Sequence, residues 1–401
     1  MQRVRKTVYK HIKRTHKWRQ MGHSQLTDLY LSVGIRTTAV SLVGVFIPIY
    51  LHQLGYSIAD VVVYYTVFAF FRVLINLVTA QYIGWVGPKH AIIASNILAI
   101  CHMAMLFSLP SIGWPIAVIA MLHTTANSLF FTSYHTDFSK IKTNKDGGKE
   151  IGHMMVISKI GRVIGPAVGG LLAGFSDIRV SIAVAAGLLM SSLIPLFFTK
   201  EPVKTHQKIS YKGLLPKVAA GWRDHTAQFA ENIGVVLVGG FWSFYIALAI
   251  FSEAPYESIG LISTGATFVS IFTAHLFGVW SDKGGGKTMV RLSGILSAVF
   301  AVFRVFISSP VGAISHNAVK EATNPSATIP IVKEFYADAD TYPGQRIAYI
   351  TVIECISAFL RGLVLLPVLI LMAYFDQLEV LRLSTVAFGF ISCLVVLRRF
   401  K

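Results

Sequence analysis

The chain has 401 residues, of which 54% are hydrophobic and only 14% charged, with a mean hydropathy of +0.61. Soluble domains carry about 25% charged residues. So few charges cannot cover this much apolar surface, which excludes a soluble globular protein and, equally, a disordered chain. The formal net charge of +17 suggests nucleic acid on a soluble protein, so the placement of the charges has to decide its meaning.

Residues 1–26 hold eight Lys and Arg and no acid. The apolar stretch that follows is full length and lacks a small-residue cleavage site. The arm therefore reads as a basic juxtamembrane segment drawn to anionic lipid rather than as a secretory signal. A membrane span needs about 20 mainly apolar residues. Spans are predicted at 27–51, 57–82, 89–109, 114–138, 151–174, 178–198, 229–251, 256–280, 288–308, 310–336, 347–373 and 378–397. The tenth carries His316, Asn317, Lys320, Glu321 and Asn324, and is counted because an internal repeat requires a span there. Connections are short and marked by Gly and Pro. The longest, 199–228, is polar and Lys-rich. The expected organisation is a basic arm (1–26), a six-helix bundle (27–198), a central loop (199–228) and a second six-helix bundle (229–401). Cys101, Cys355 and Cys393 each lie in an apolar segment without Cys-x-x-Cys spacing and read as small buried side chains.

With the amino end placed in the cytoplasm, 27 basic residues fall on the cytoplasmic side and two, Arg179 and Arg382, on the other. This asymmetry follows the positive-inside rule. Both termini are therefore expected in the cytoplasm, in a multi-pass protein of the cell membrane. The +17 becomes a record of topology, and no nucleic-acid partner is expected.

The halves resemble each other at an offset of about 197 residues. Gly87-Pro88-Lys89 after the second span aligns with Gly285-Gly286-Lys287 after the eighth. Duplicated halves of six spans are a transporter plan, with solute bound between them near the midplane. Two motifs sharpen this. The loop after the eighth span reads Gly278-Val-Trp-Ser-Asp282-Lys283-Gly-Gly-Gly286-Lys287, and the fifth span reads Gly161-Arg-Val-Ile-Gly165-Pro166-Ala-Val-Gly169-Gly170. On these the chain resembles the major facilitator superfamily across essentially its whole length. The resemblance implies an all-α membrane protein of twelve transmembrane helices in two pseudo-symmetric six-helix bundles. The loop signature normally follows the second span. There it is degraded here, with Ala80 and Gly84 in place of the Gly and Asp. The Gly-x-x-x-Gly-Pro-x-x-Gly-Gly pattern recurs in the superfamily's antiporters, and its small residues let helix backbones approach closely. A phosphate loop at 284–288 is dismissed, because Ser281 stands where that motif needs Gly and no soluble strand precedes it.

Ionisable residues inside a span are costly and are functional candidates by default. They are Arg36, Arg72, Lys159, Arg162, Lys320 and Arg361 against Glu321 and Glu354, with Asp137 near the end of the fourth span. Arg304, at a span end, reads as snorkelling. The acids run out before the cations are neutralised, so surplus cations are expected to attract a small organic anion. Arg36 and Lys320 would face it most directly, by the family's arrangement. Asn127, Tyr134, Trp242 and Asn317 are candidate solute contacts. Glu354, Glu321 and Asp137 are candidate proton carriers, while His123, His135 and His316 read first as packing residues. The resulting expectation is a proton-coupled secondary transporter working by alternating access, weakly inclined to antiport or export. It is a monomer in contact with lipid, without metal, cofactor or catalytic group. A proton-driven exporter of lipophilic compounds is the alternative within the class. A lipid-acting membrane enzyme or a non-transporting receptor is the alternative outside it.

Overall fold

The computed structural model describes residues 25–141, 147–198, 205–342 and 344–400. The basic arm up to residue 24 and parts of two linkers, 142–146 and 199–204, lie outside the described residues. All regular elements among the described residues are helical. Span one is Gln25–Gly44 continued by Ile47–Gln53. Spans two to five are Ile58–Val86, Pro88–Ile112, Ile116–Ile141 and Gly147–Phe175. Span six is Ile178–Ser191 with Ile194–Phe197. Span seven runs Trp222–Asn232, a π-helical stretch Ile233–Val238, and Gly239–Ala249. Spans eight and nine are Pro255–Trp280 and Gly286–Arg304. Span ten is Pro310–Thr323 followed by Pro325–Asp340, span eleven Arg346–Met372, and span twelve Gln377–Ser392 with the turn Cys393–Leu397.

Ten stretches are long and apolar enough to cross a membrane. One of them, Pro255–Arg304, folds back near Gly284, whose φ of +85° breaks the helix. Span ten is too polar to qualify by hydropathy yet is helical throughout except at the Asn324–Pro325 step. That makes twelve. Span ends carry the expected local chemistry. Ser57 and Asp60 form a reciprocal capping box at span two. Asp177 caps span six, and the Arg179 side chain and backbone N–H together hold its carboxyl below the ordinary range. One boundary differs most from expectation. Span seven begins at Trp222 rather than 229, because the polar start of this stretch is amphipathic and buries Ala227, Phe229 and Ala230. A short helix, Leu214–Ala220, also forms within the central loop. Cys101 is exposed on span three, not buried as expected, since a lone thiol is apolar enough to sit on a bundle's outer surface.

The end carrying the central loop is called the linker end, and the opposite one the far end. At the far end the small residues of span five serve two partners at once. A Cβ on Gly161 would lie 2.9 Å from the Thr38 backbone nitrogen, and one on Gly165 2.9 Å from that of Leu42, both in span one. A Cβ on Gly170 would instead meet the Tyr256 carbonyl at 2.5 Å in span eight, across the seam between the halves. Pro166 and Gly260 close the same contact. Tyr256 donates to Gln53 Oε1 at 2.6 Å, and the Ala59 N–H donates to Gln377 Oε1 at 3.2 Å.

At the linker end the degraded loop signature acquires a physical reason. The Gln207 N–H donates to the Gly84 carbonyl at 2.8 Å and the His206 N–H to that of Trp85 at 2.9 Å. Gln81 exchanges two hydrogen bonds with the backbone of Ile209. A Cβ at position 84 would lie 2.5 Å from the Gln207 carbonyl. The central loop therefore occupies the place an acidic side chain would need. Farther along, Gln345, before span eleven, donates to the Lys212 carbonyl at 3.2 Å. The loop touches both halves.

Candidate functional site at the seam between the halves

Span two, span four and span eleven place the first cluster. Arg72 donates through Nη1 to Asn127 Oδ1 at 2.7 Å and through Nη2 to Glu354 Oε2 at 2.9 Å. The second bond joins the two halves. Arg361 lies two turns along span eleven, bonded to the Ser357 carbonyl of its own helix and close enough to act electrostatically on both members of the pair. The structure thus pairs Glu354 with Arg72. Glu321 pairs with its neighbour Lys320 at 3.2 Å, and Asn324 donates to its other oxygen at 3.4 Å.

The remaining cations are placed unevenly. Arg36 is 4% exposed and packed within its own half. It bonds Asn96, and its guanidinium lies 3.9 Å above the Phe130 ring. Asn96 in turn donates to Ser192 Oγ at 2.8 Å. Arg36 therefore ties spans one, three, four and six together, where it was expected to meet solute. Lys159 reaches across the seam to Ser270 of span eight. Arg162, one turn on, is exposed and acts electrostatically on Tyr134, Lys159 and Glu231. Tyr134 itself stacks on Phe130. Trp242 and Asn317 bond each other at 3.0 Å inside the second bundle. The side chain of Asp137 lies outside the described residues. In the loop motif, Asp282 meets Lys333 at 3.0 Å on the surface, a pair worth little. A Cβ on Gly278 would meet open space, and Lys283 and Lys287 are exposed, whereas Gly286 packs against Phe400 and Pro330.

Four groups were missed or misread. Arg304 does not snorkel. It is 2% exposed, donates to the Thr385 carbonyl at 3.2 Å and lies 5.7 Å from the Trp242 ring, because spans seven and twelve close over it. Glu231 in span seven accepts from Thr328 Oγ1 at 2.9 Å and has no basic group at ion-pair distance among the described residues. Only its position near a span end hid it. Tyr64 and His102 form a polar group with His123, in which the two imidazoles stack at 4.4 Å. His123 was therefore no lone packing residue, and neither is His135, whose Nδ1 lies 2.6 Å from Tyr336 Oη across the seam. His316 does pack as expected, between Trp242 and Phe300.

A cavity of about 50 Å³ borders Glu231, Lys320, Asn324 and Arg304, room for only a few waters. No cluster of His, Cys, Asp and Glu able to hold a metal occurs among the described residues. What the seam offers chemically is paired charge, Arg72 with Glu354, joining the two halves.

Residues 29–314 match the Major Facilitator Superfamily. The chain belongs to that superfamily. A multi-drug resistance efflux pump PmrA homolog of Lactococcus lactis is 23% identical over 290 residues, covering 68% of this chain and 70% of the relative. The quinolone resistance protein NorA of Staphylococcus aureus is 21% identical over 71% of this chain and 74% of its own. The multidrug resistance protein 2 of Bacillus subtilis is 27% identical over 44% and 46%. Among solved structures, the superfamily transporter FucP in its outward conformation superposes with a TM-score of 0.64 at 12% identity, over 92% of this chain and 97% of that one. The protein is a multi-pass membrane transporter of small solutes with the twelve-helix fold, not an enzyme.

Proposed function

We propose that this superfamily member is a proton-driven exporter of small amphipathic organic compounds, cationic ones included, working as an antiporter in the cell membrane with its linker end in the cytoplasm. The observation that carries this reading is Glu231. It is a carboxylate on the wall of a cavity lined by spans seven, nine, ten and twelve of the second bundle, held by a hydroxyl and free of any ion-pair partner among the described residues. Such a group offers an attractive partner to a positively charged solute and is costly to bury otherwise. The sequence relatives named above as efflux pumps and resistance proteins support the same direction. Two bundles rocking about the seam would open the solute site to one side at a time. Solute shifts that equilibrium only through its different affinities for the two states. Glu354 is the proton carrier in this reading, because protonating it cancels the Arg72 ion pair that joins the halves.

An organic anion is the second reading. It rests on Arg162 and Lys159, which face the seam one turn apart with no acid at ion-pair distance among the described residues. Cells expressing the chain and loaded with ethidium or with carboxyfluorescein separate the two. Export of ethidium, with Glu231→Gln raising its half-saturation at least tenfold, is the expected result. Export of carboxyfluorescein alone, lost in Arg162→Gln, would favour the anion.

A further inference from the structure

Span four carries His123, Asn127, Phe131 and His135 at a spacing of four residues. Residues so spaced stack along one helix face, about 6 Å apart. Span two presents Tyr64, Phe68 and Arg72 to this face at the same spacing. The two rows meet rung by rung. Tyr64 Oη lies 2.7 Å from His123 Nδ1 and 3.4 Å from His102 Nε2. Phe68 packs on the His123 ring at 4.9 Å. Arg72 bonds Asn127 at 2.7 Å and lies 5.6 Å from the Phe131 ring. Below them, Glu354 bonds Arg72 and acts electrostatically on His135, which meets Tyr336.

Packing does not explain this row. Tyr64 is fully buried and His102 is 2% exposed, yet their polar atoms find one another instead of apolar neighbours. Burying three such groups together is costly unless they serve each other or a passing charge. Imidazole suits the second role, since its two nitrogens can take a proton on one side and release it on the other. None of these residues borders the cavity beside Glu231.

We propose that this ladder carries the coupling proton through the first bundle, beside the solute cavity and not through it. The idea rests on the proton-driven reading above. A proton from the far side binds an imidazole nitrogen of the His102–His123 pair, making one imidazolium. Two stacked rings repel a second charge, so the pair holds one proton at a time. The proton then passes, relayed by water across the Arg72–Asn127 rung, to the Glu354 carboxylate, and the imidazole returns to neutral. Neutral Glu354 no longer pairs with Arg72, which keeps its bond to Asn127, and the tie between spans two and eleven is released. The proton leaves Glu354 for His135 and then for water at the linker end, and the ion pair re-forms.

Other charged and titratable groups face the ladder from five elements, besides Cys355 of span eleven and Glu231 of span seven, which act electrostatically on Glu354. Arg36 of span one acts electrostatically on His123, and Tyr65 of span two packs on Tyr64. Tyr134 of span four contacts His135, Tyr336 comes from span ten and Arg361 from span eleven. The two guanidinium groups of Arg72 and Arg361 beside the one carboxylate of Glu354 make a place where a proton passes and does not accumulate.

The test uses the purified full chain in proteoliposomes with ethidium as probe. Ethidium accumulation driven by an imposed pH gradient is compared with ethidium counterflow at equal pH. His123→Gln and, separately, Tyr64→Phe are expected to slow gradient-driven accumulation at least tenfold while counterflow stays within twofold of the unmodified protein. Gradient-driven accumulation within twofold in both variants would overturn the ladder and leave proton-driven export standing. Loss of counterflow together with drive in both variants would make these residues structural supports and overturn it as well. Indifference of the unmodified protein to the gradient would remove the proton-driven reading and the ladder with it.

Discussion

Arg72 and Glu354 illustrate what a buried charge can and cannot reveal from sequence. Each is recognisable by itself, because an ionised side chain in a span needs a reason to be there. Their partnership is not, because 282 positions separate them and nothing local encodes the contact. Removing one partner leaves the other charge stranded, at a cost of about 3–5 kcal/mol, whereas removing both is far milder. Arg72→Ala is therefore expected to lower the detergent melting temperature sharply, and Arg72→Met with Glu354→Leu to restore most of the loss. A double variant no more stable than the worse single one would contradict the pairing. The residues that sequence reasoning missed share one cause. Glu231 and Arg304 sit near span ends, where a charge is unremarkable until neighbouring helices close over it. Tyr64 and His102 lie in apolar segments whose pattern gives no hint of which face meets another polar group.

At the level of helices, most spans are legible because an unbroken apolar run of twenty or so residues is stable in lipid and in little else. Span ten is the exception. Its polar residues hide it from hydropathy, and only the repeat between the halves marks it, since six helices on one side imply six on the other. The Gly-rich face of span five was legible as a packing motif but not in its division of labour. Gly161 and Gly165 bind it to span one, and Gly170 presses it on span eight. The two sets should respond differently to bulk. Gly165→Val is expected to prevent assembly of the first bundle, seen as loss of a monodisperse peak in size-exclusion chromatography. Gly170→Val, which opposes only the contact across the seam, is expected to leave that peak intact and to increase labelling of a cysteine placed at Tyr256 by a water-soluble maleimide. Equal damage from both would mean that the seam and the bundle interior are not separable.

The whole molecule is two bundles in contact at both ends, and its working cycle must break one end at a time. Cysteines replacing Ala59 and Gln377 in a background lacking Cys101, Cys355 and Cys393, joined by a short bismaleimide, are expected to abolish ethidium export while leaving the fold intact by circular dichroism. Continued export by the cross-linked protein would rule out opening of the far end there. The twelve-helix plan was readable at this scale from the apolar runs and the repeat, but the role of the central loop was not. The loop read only as a polar, Lys-rich link between the bundles, and Gly84 in place of an acid read as a degraded signature. In the folded chain these are one fact. The peptide that joins the bundles also clasps span two, through the space that glycine leaves open. Slack in that peptide then becomes a property of the transport cycle: several glycines inserted after Lys212, beyond the clasp, should leave solute affinity alone yet alter how fast the molecule turns over, much as a longer belt changes the timing of an engine without changing its fuel.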